Sequence, residues 1–139
     1  MNSKPISKTL LIALIEKENS ILMRKKPEGS LPYKETWYLF GCERVEGVDD
    51  KVTLVKYIKQ YIGIDIIPEE EIYRDDEIKQ DHDGIVKHFF YIDFRCSCGT
   101  GEPVLPAGAE KIEWVPREKL VEYDIVPPSV KLFQELGYL

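Results

Sequence analysis

Residues 42–64 read CERVEGVDDKVTLVKYIKQYIGI, and the spacing of apolar positions changes inside this stretch. Its first third is polar and holds a glycine, as a loop does. From there Val52, Leu54, Val55, Ile58, Tyr61 and Ile62 recur every three or four residues, which makes one face of an amphipathic helix. Asp49 or Asp50 stands where an N-cap belongs. Gly63 stands where a left-handed C-cap belongs. The stretch therefore predicts loop, helix, loop.

The segments on either side predict strands. Thr9 to Ile15 is a continuous apolar run of strand length. A turn at Asn19-Ser20 leads into Ile21 to Lys26, so the two form a hairpin. Pro27 to Tyr33 is a loop and Trp37 to Phe40 a short aromatic strand. Beyond the helix, Ile64 to Ile67 is a strand stopped by Pro68, and Ile72 to Ile78 a charged strand. A turn at Gln80 to Gly84 precedes the long strand Ile85 to Cys96. Ile112 to Val115, a helical turn at Arg117 to Val121 and a final helix at Ser129 to Leu136 complete the chain. About six strands with one internal and one C-terminal helix make an α/β sandwich with a mixed sheet.

The chain has 139 residues, the size of one domain spanning 1–139. With 43% hydrophobic and 32% charged residues it is expected to fold, not to be disordered. Nineteen basic against twenty-five acidic side chains leave a net charge of −6, which opposes nucleic-acid binding. A small anionic ligand held by a local basic patch stays compatible with that sign. Three cysteines, Cys42, Cys96 and Cys98, are an odd number and suggest a reducing, cytoplasmic setting. Leu10 to Ile15 is too short to span a membrane.

The order of parts resembles the Nudix hydrolase superfamily, the MutT-like proteins. The matching track runs from the hairpin through Trp37-Tyr-Leu-Phe-Gly and Lys87-His-Phe-Phe-Tyr-Ile-Asp-Phe to Ala109-Glu-Lys-Ile-Glu-Trp-Val-Pro and the Pro127-Pro128 helix. It implies an α/β/α sandwich with a mixed β-sheet, one box helix and one C-terminal helix. The family's signature is a 23-residue box, G-x5-E-x7-R-E-U-x-E-E-x-G-U with U apolar, and residues 42–64 match its length without a gap. The box is strongly degenerate. Cys42 replaces the opening glycine, Val48 the first glutamate, Lys56 the arginine and Tyr57 the glutamate after it. Gln60 and Tyr61 replace the paired glutamates. Ile58, Gly63 and Ile64 match.

The resemblance implies a hydrolase of a nucleoside diphosphate linked to another moiety, using Mg2+ or Mn2+, with homodimers common. The residues themselves argue against the usual chemistry. Positions 57, 60 and 61 share a helix face, and two phenols and an amide there cannot balance the charge of a hard cation. The alternative is a non-catalytic nucleotide- or ligand-binding module that needs no cofactor.

Other side chains are candidates under either reading. Glu43 and Glu46, with Asp49 and Asp50, would rebuild a metal site from the loop side, although the two aspartates also suit a helix N-terminus. Asp81, His82 and Asp83 would supply a general base, or form a plain polar turn. Arg24 and Lys26 lie on one face of a strand end, where the resemblance implies contact with ligand phosphates. Trp37, Tyr57 and Tyr61 are the aromatics placed to meet a ligand. Cys96 and Cys98 read as reduced, partly buried thiols.

Overall fold

β1 (Ile6–Lys17) sits inside the sheet, and its apolar run is explained by burial on both faces. Leu11, Ala13 and Ile15 enter one core cluster, while Leu14 and Ile12 pack into the other. β6 (Val86–Cys98) runs parallel along one edge of β1, from Ile6 opposite Lys87 to Glu16 opposite Ser97. The other edge is shared. β2 (Ser20–Lys25) pairs antiparallel with its end at Glu16 and Lys17, and β4 (Phe40–Glu43) pairs with Leu10 to Ala13. β3 (Trp37–Tyr38) lies on Arg24 and Lys25 of β2. The chain thus changes partner strand at Leu39. β5 (Ile66–Gln80) covers the outer edge of β6, and β7 (Lys111–Pro116) pairs along β2. The structure, a computed structural model, describes residues 6–139.

Two helices cover the two faces. α1 (Asp50–Ile62) buries Leu54, Ile58 and Ile62 against Leu11, Leu22, Phe40, Ile92 and Phe94. α2 (Pro127–Glu135) buries Leu132 and Phe133 against Leu14, Ile21, Met23 and Val115. Asp49 caps α1, its carboxylate accepting from the backbone N–H of Lys51 at 2.9 Å and of Val52 at 3.2 Å. Gly63 ends the helix at φ 77°. A 3-10 turn at Arg117–Glu122 links β7 to α2. Among the described residues no helix is long and apolar enough to cross a membrane.

Three differences from the sequence expectation have physical causes. The sheet has seven strands, against about six expected. The aromatic run Trp37 to Phe40 is two short strands, because the chain leaves β2 for β1 in the middle of it. Ile64 to Ile67 and Ile72 to Ile78 belong to one strand, β5, which continues through Pro68 by shifting register between Pro68 and Tyr73. A proline lacks the ladder N–H, and an edge strand with a bulge is where that loss is tolerated.

Gly41 makes the exchange at Leu39 sterically feasible. It faces Ile12, and a Cβ on it would lie 2.8 Å from the Leu11 carbonyl oxygen and 2.6 Å from Ile12 Cδ1. The Ile12 side-chain end can turn aside, but the Leu11 backbone carbonyl cannot yield. Gly41→Ala should destabilise the fold by about 1–3 kcal/mol, seen as a lower denaturant midpoint with an unchanged slope.

Candidate functional site

A cleft of about 280 Å3 opens on the α2 side of the sheet. Strand alternation builds its floor: Leu10 and Ile12 from β1, Phe89, Tyr91 and Asp93 from β6. Arg24 and Lys26 reach it from the end of β2, Tyr38 from β3, and Tyr33 from the loop between them. Tyr33 is fixed in place. Its hydroxyl donates to Glu77, and the Tyr91 hydroxyl donates to the same carboxylate at 2.7 Å. Burial, reinforced by Glu77, pushes both phenols above their ordinary pKa, so both walls stay neutral.

Two carboxylates border the cleft in opposite states. Asp81 is buried but fully engaged. It accepts from Lys87 Nζ at 2.8 Å, Lys8 Nζ at 3.2 Å, and the His82 backbone and Nδ1 at 2.8 and 2.9 Å. Burial opposes its charge, yet these donors outweigh that and hold its carboxyl well below the usual range. Such a group is a poor base. His82 is exposed, and Asp83 pairs with Lys87 at 2.8 Å. The turn is therefore polar as expected, except that Asp81 points inward as an ion-pair centre.

Asp93 is only 4% exposed. Among the described residues its carboxylate has no hydrogen-bond or ion-pair partner. Burial, then the charges of Asp75 and Glu71, push it up to about 7. A carboxyl titrating there can hold or release a proton near neutral pH. It is not among the residues singled out from sequence. The signal was an acid inside the apolar run of β6, in phase with Phe89 and Tyr91.

The box helix meets the sheet beside the cleft. The Arg24 guanidinium donates through Nη1 to the Tyr61 hydroxyl at 3.0 Å and through Nε to the Leu39 carbonyl at 3.4 Å. It lies 5.5–5.6 Å from the ring centres of Tyr38, Phe40 and Tyr61. Tyr61 donates on to the Ala107 carbonyl at 3.2 Å, and Tyr57 stacks on Tyr61 at 5.2 Å. Lys26 Nζ sits 4.4 Å over Tyr38.

These positions sort the aromatic candidates. Tyr57 and Tyr61 flank the cleft through Arg24 and do not line it. Trp37, singled out from sequence as a ligand contact, does not line the cleft. It is 7% exposed and packs edge-on to Tyr123 at 4.9 Å in the α2-side core, on the face opposite to that of its neighbour Tyr38. The aromatics on the cleft are Tyr33, Tyr38, Phe89 and Tyr91.

The loop acids do not converge. Glu43 pairs with Lys8 at 3.2 Å, Asp50 is held by Arg44 at 2.9 Å, Asp49 caps α1, and Glu46 and Val48 are exposed. Lys56 and Gln60 are exposed too. Among the described residues no three of His, Cys, Asp and Glu gather as a metal site.

No protein-family model matches the sequence, and no curated protein does. Solved structures do match. A MutT protein from Methanosarcina mazei Go1 aligns with a TM-score of 0.80 at 17% identity, over 98% of this chain and 96% of that one. A MutT NUDIX hydrolase from Burkholderia pseudomallei aligns at 0.74 with 18% identity, over 94% and 98%. The E. coli ORF135 protein aligns at 0.73 with 15% identity, over 96% and 90%. This is the Nudix fold.

Nudix hydrolases generally use a divalent metal such as Mg2+ or Mn2+. The residues at the Nudix box positions do not fit one. Tyr57 is pushed upward by burial and stays a neutral phenol. Cys42 is pushed up to about 11 by burial and then by Asp50, so it is a thiol at neutral pH and not a thiolate. Gln60 is a solvated amide. Tyr61 already accepts from a guanidinium. Neutral donors beside a fixed positive charge cannot balance a hard cation.

Asp93 generates a test of the cleft's electrostatics. Its folded pKa lies above the unfolded value, so its neutral form is the favoured one in the fold. Stability relative to a neutral isostere is intact below the unfolded pKa, falls as pH rises from there, and is fully lost above about 7. Asp93→Asn should therefore raise the melting temperature at pH about 8.5 by an amount corresponding to about 2–4 kcal/mol, and by roughly a third of that at pH about 5. Paired thermal unfolding scans check it.

Proposed function

We propose that this protein binds a nucleotide-type ligand, a nucleoside diphosphate linked to another group, in the cleft between β1, β6 and α2. One observation carries the reading. The cleft combines neutral aromatic walls with two cations, Arg24 and Lys26, that have no carboxylate partner among the described residues. Aromatic rings suit a flat heterocycle, and unpaired cations suit phosphates. Its volume of about 280 Å3 is at the lower end of small-molecule pockets. Similarity to proteins named as MutT and NUDIX hydrolases supports a ligand of this class.

Hydrolysis of the same ligand is the second reading, favoured by those hydrolase names and by Asp93. A carboxyl pushed up to about 7 in the cleft is matched to general-base work at neutral pH. On this reading the box helix supplies no base and no metal ligand.

Calorimetric titration with ADP-ribose, UDP-glucose and a dinucleoside diphosphate, beside chromatography of the same mixtures with Mg2+ and with Mn2+, separates the two. Saturable binding with unchanged ligand supports the binding module. Turnover abolished in Asp93→Asn, with binding kept, supports the hydrolase. Absence of binding across the panel overturns both.

A further inference from the structure

The half-buried pair Arg24 and Lys26 is electrostatically incomplete. Lys8, the other lysine that lines the cleft, has Asp81 and Glu43, and the nearby Lys79 and Lys87 have Glu77 and the Asp81–Asp83 pair. Arg24 and Lys26 instead share the Tyr38 ring, Arg24 5.6 Å and Lys26 4.4 Å from its centre. Burial, and then repulsion from Arg24, pull the Lys26 ammonium down to about 8. Two like charges held together in a half-dry site with ring faces and two neutral acceptors, but no carboxylate, against them are unfavourable until an anion arrives.

The geometry of Arg24 says where that anion sits. Its Nε and Nη1 are fixed by the Leu39 carbonyl and the Tyr61 hydroxyl, which lock the guanidinium plane. The remaining N–H donors have no partner among the described residues. A planar fork held this way matches two oxygens of a phosphate. The position is also telling, since Tyr61 stands where the box would place a glutamate facing a divalent cation. Here a phenol faces a guanidinium. The phenol consumes none of the positive charge, whereas a carboxylate would have.

We propose that Arg24 takes over the role of the divalent cation in this Nudix fold, so that Arg24 and Lys26 bind a diphosphate directly, with no metal between protein and phosphate. This rests on the reading of the cleft as a nucleotide site. It goes beyond that reading in one respect, that phosphate binding at Arg24 and Lys26 is independent of metal.

The test is calorimetric titration of the full chain with inorganic pyrophosphate and with ADP-ribose, in excess EDTA and in excess Mg2+. Both ligands should bind in EDTA, and Mg2+ should leave affinity unchanged or lower it by competing for the phosphates. Arg24→Gln and Lys26→Gln should each weaken pyrophosphate about tenfold or more in EDTA. Arg24→Lys keeps the charge but loses the fork, and should recover only part of the loss. If Arg24→Gln does not fold, Arg24→Lys and the strand-end Lys26→Gln decide. Binding that EDTA abolishes and Mg2+ restores overturns the proposal while leaving the nucleotide reading standing. Pyrophosphate binding in EDTA that none of the three variants weakens also overturns it. If neither ligand binds in either condition, the reading of the cleft as a nucleotide site fails as well.

Discussion

The parallel pairing of β1 with β6 is the constraint on which the rest depends. It runs from Ile6 opposite Lys87 to Glu16 opposite Ser97, and it assigns every side chain of both strands to a face. Leu11, Ala13, Ile92 and Phe94 go to the α1 side, while Ile12, Tyr91 and Asp93 go to the cleft side. A slip of one residue would exchange these sets. Asp93 would then lie under α1 among aliphatic side chains, and Ile92 would face the cleft. The core and the site are therefore specified by one register.

The far end of the same strand pair is held by charge. Glu16, at the end of β1, accepts from Arg95 of β6, from Arg117 and from the Tyr138 hydroxyl, the last at 3.0 Å. Arg95 also donates to Tyr138 at 3.2 Å, and Arg117 stacks over the Tyr138 ring at 4.2 Å. Four side chains distant in sequence thereby tie β1, β6, the 3-10 turn and the C-terminal segment together. Removing one partner would leave a largely buried charge uncompensated. This network seats α2, which walls the cleft through Pro128, Ser129 and Leu132.

Most of the fold was legible in the sequence because local rules agreed with the tertiary ones. The Asp49 cap, the apolar face of α1 and Gly63 all mark the same helix, and the runs of β1 and β6 are long enough to read as strands. Leu39 and Pro68 broke the reading. At Leu39 a change of partner strand divides an uninterrupted aromatic run, and no local preference marks it. At Pro68 a residue that ordinarily stops a strand is absorbed by an edge bulge. The site was less legible. The loop–helix–loop pattern of residues 42–64 located α1, but Trp37 is hidden in the α2-side core. Asp93 acquires its character only from burial beside Asp75 and Glu71, which are brought to it by pairing between β5 and β6.

The charge of the whole chain and the charge of the cleft point in opposite directions. Excess acid gives the molecule a net −6, but the acids of the cleft are quenched. Asp81 is matched by Lys8 and Lys87, and Asp93 near neutral pH carries only part of its charge. Arg24 and Lys26 have aromatic faces and, for Arg24, two neutral acceptors, but no carboxylate among the described residues. The cleft is thus a positive recess in a negative surface. The surface slows the approach of an anion, and the recess rewards it only when its charge reaches the guanidinium. On the proposed nucleotide reading, selectivity would fall to ligands that offer an aromatic group to the walls along with the phosphate, since ring contacts do not depend on the sign of the surrounding field.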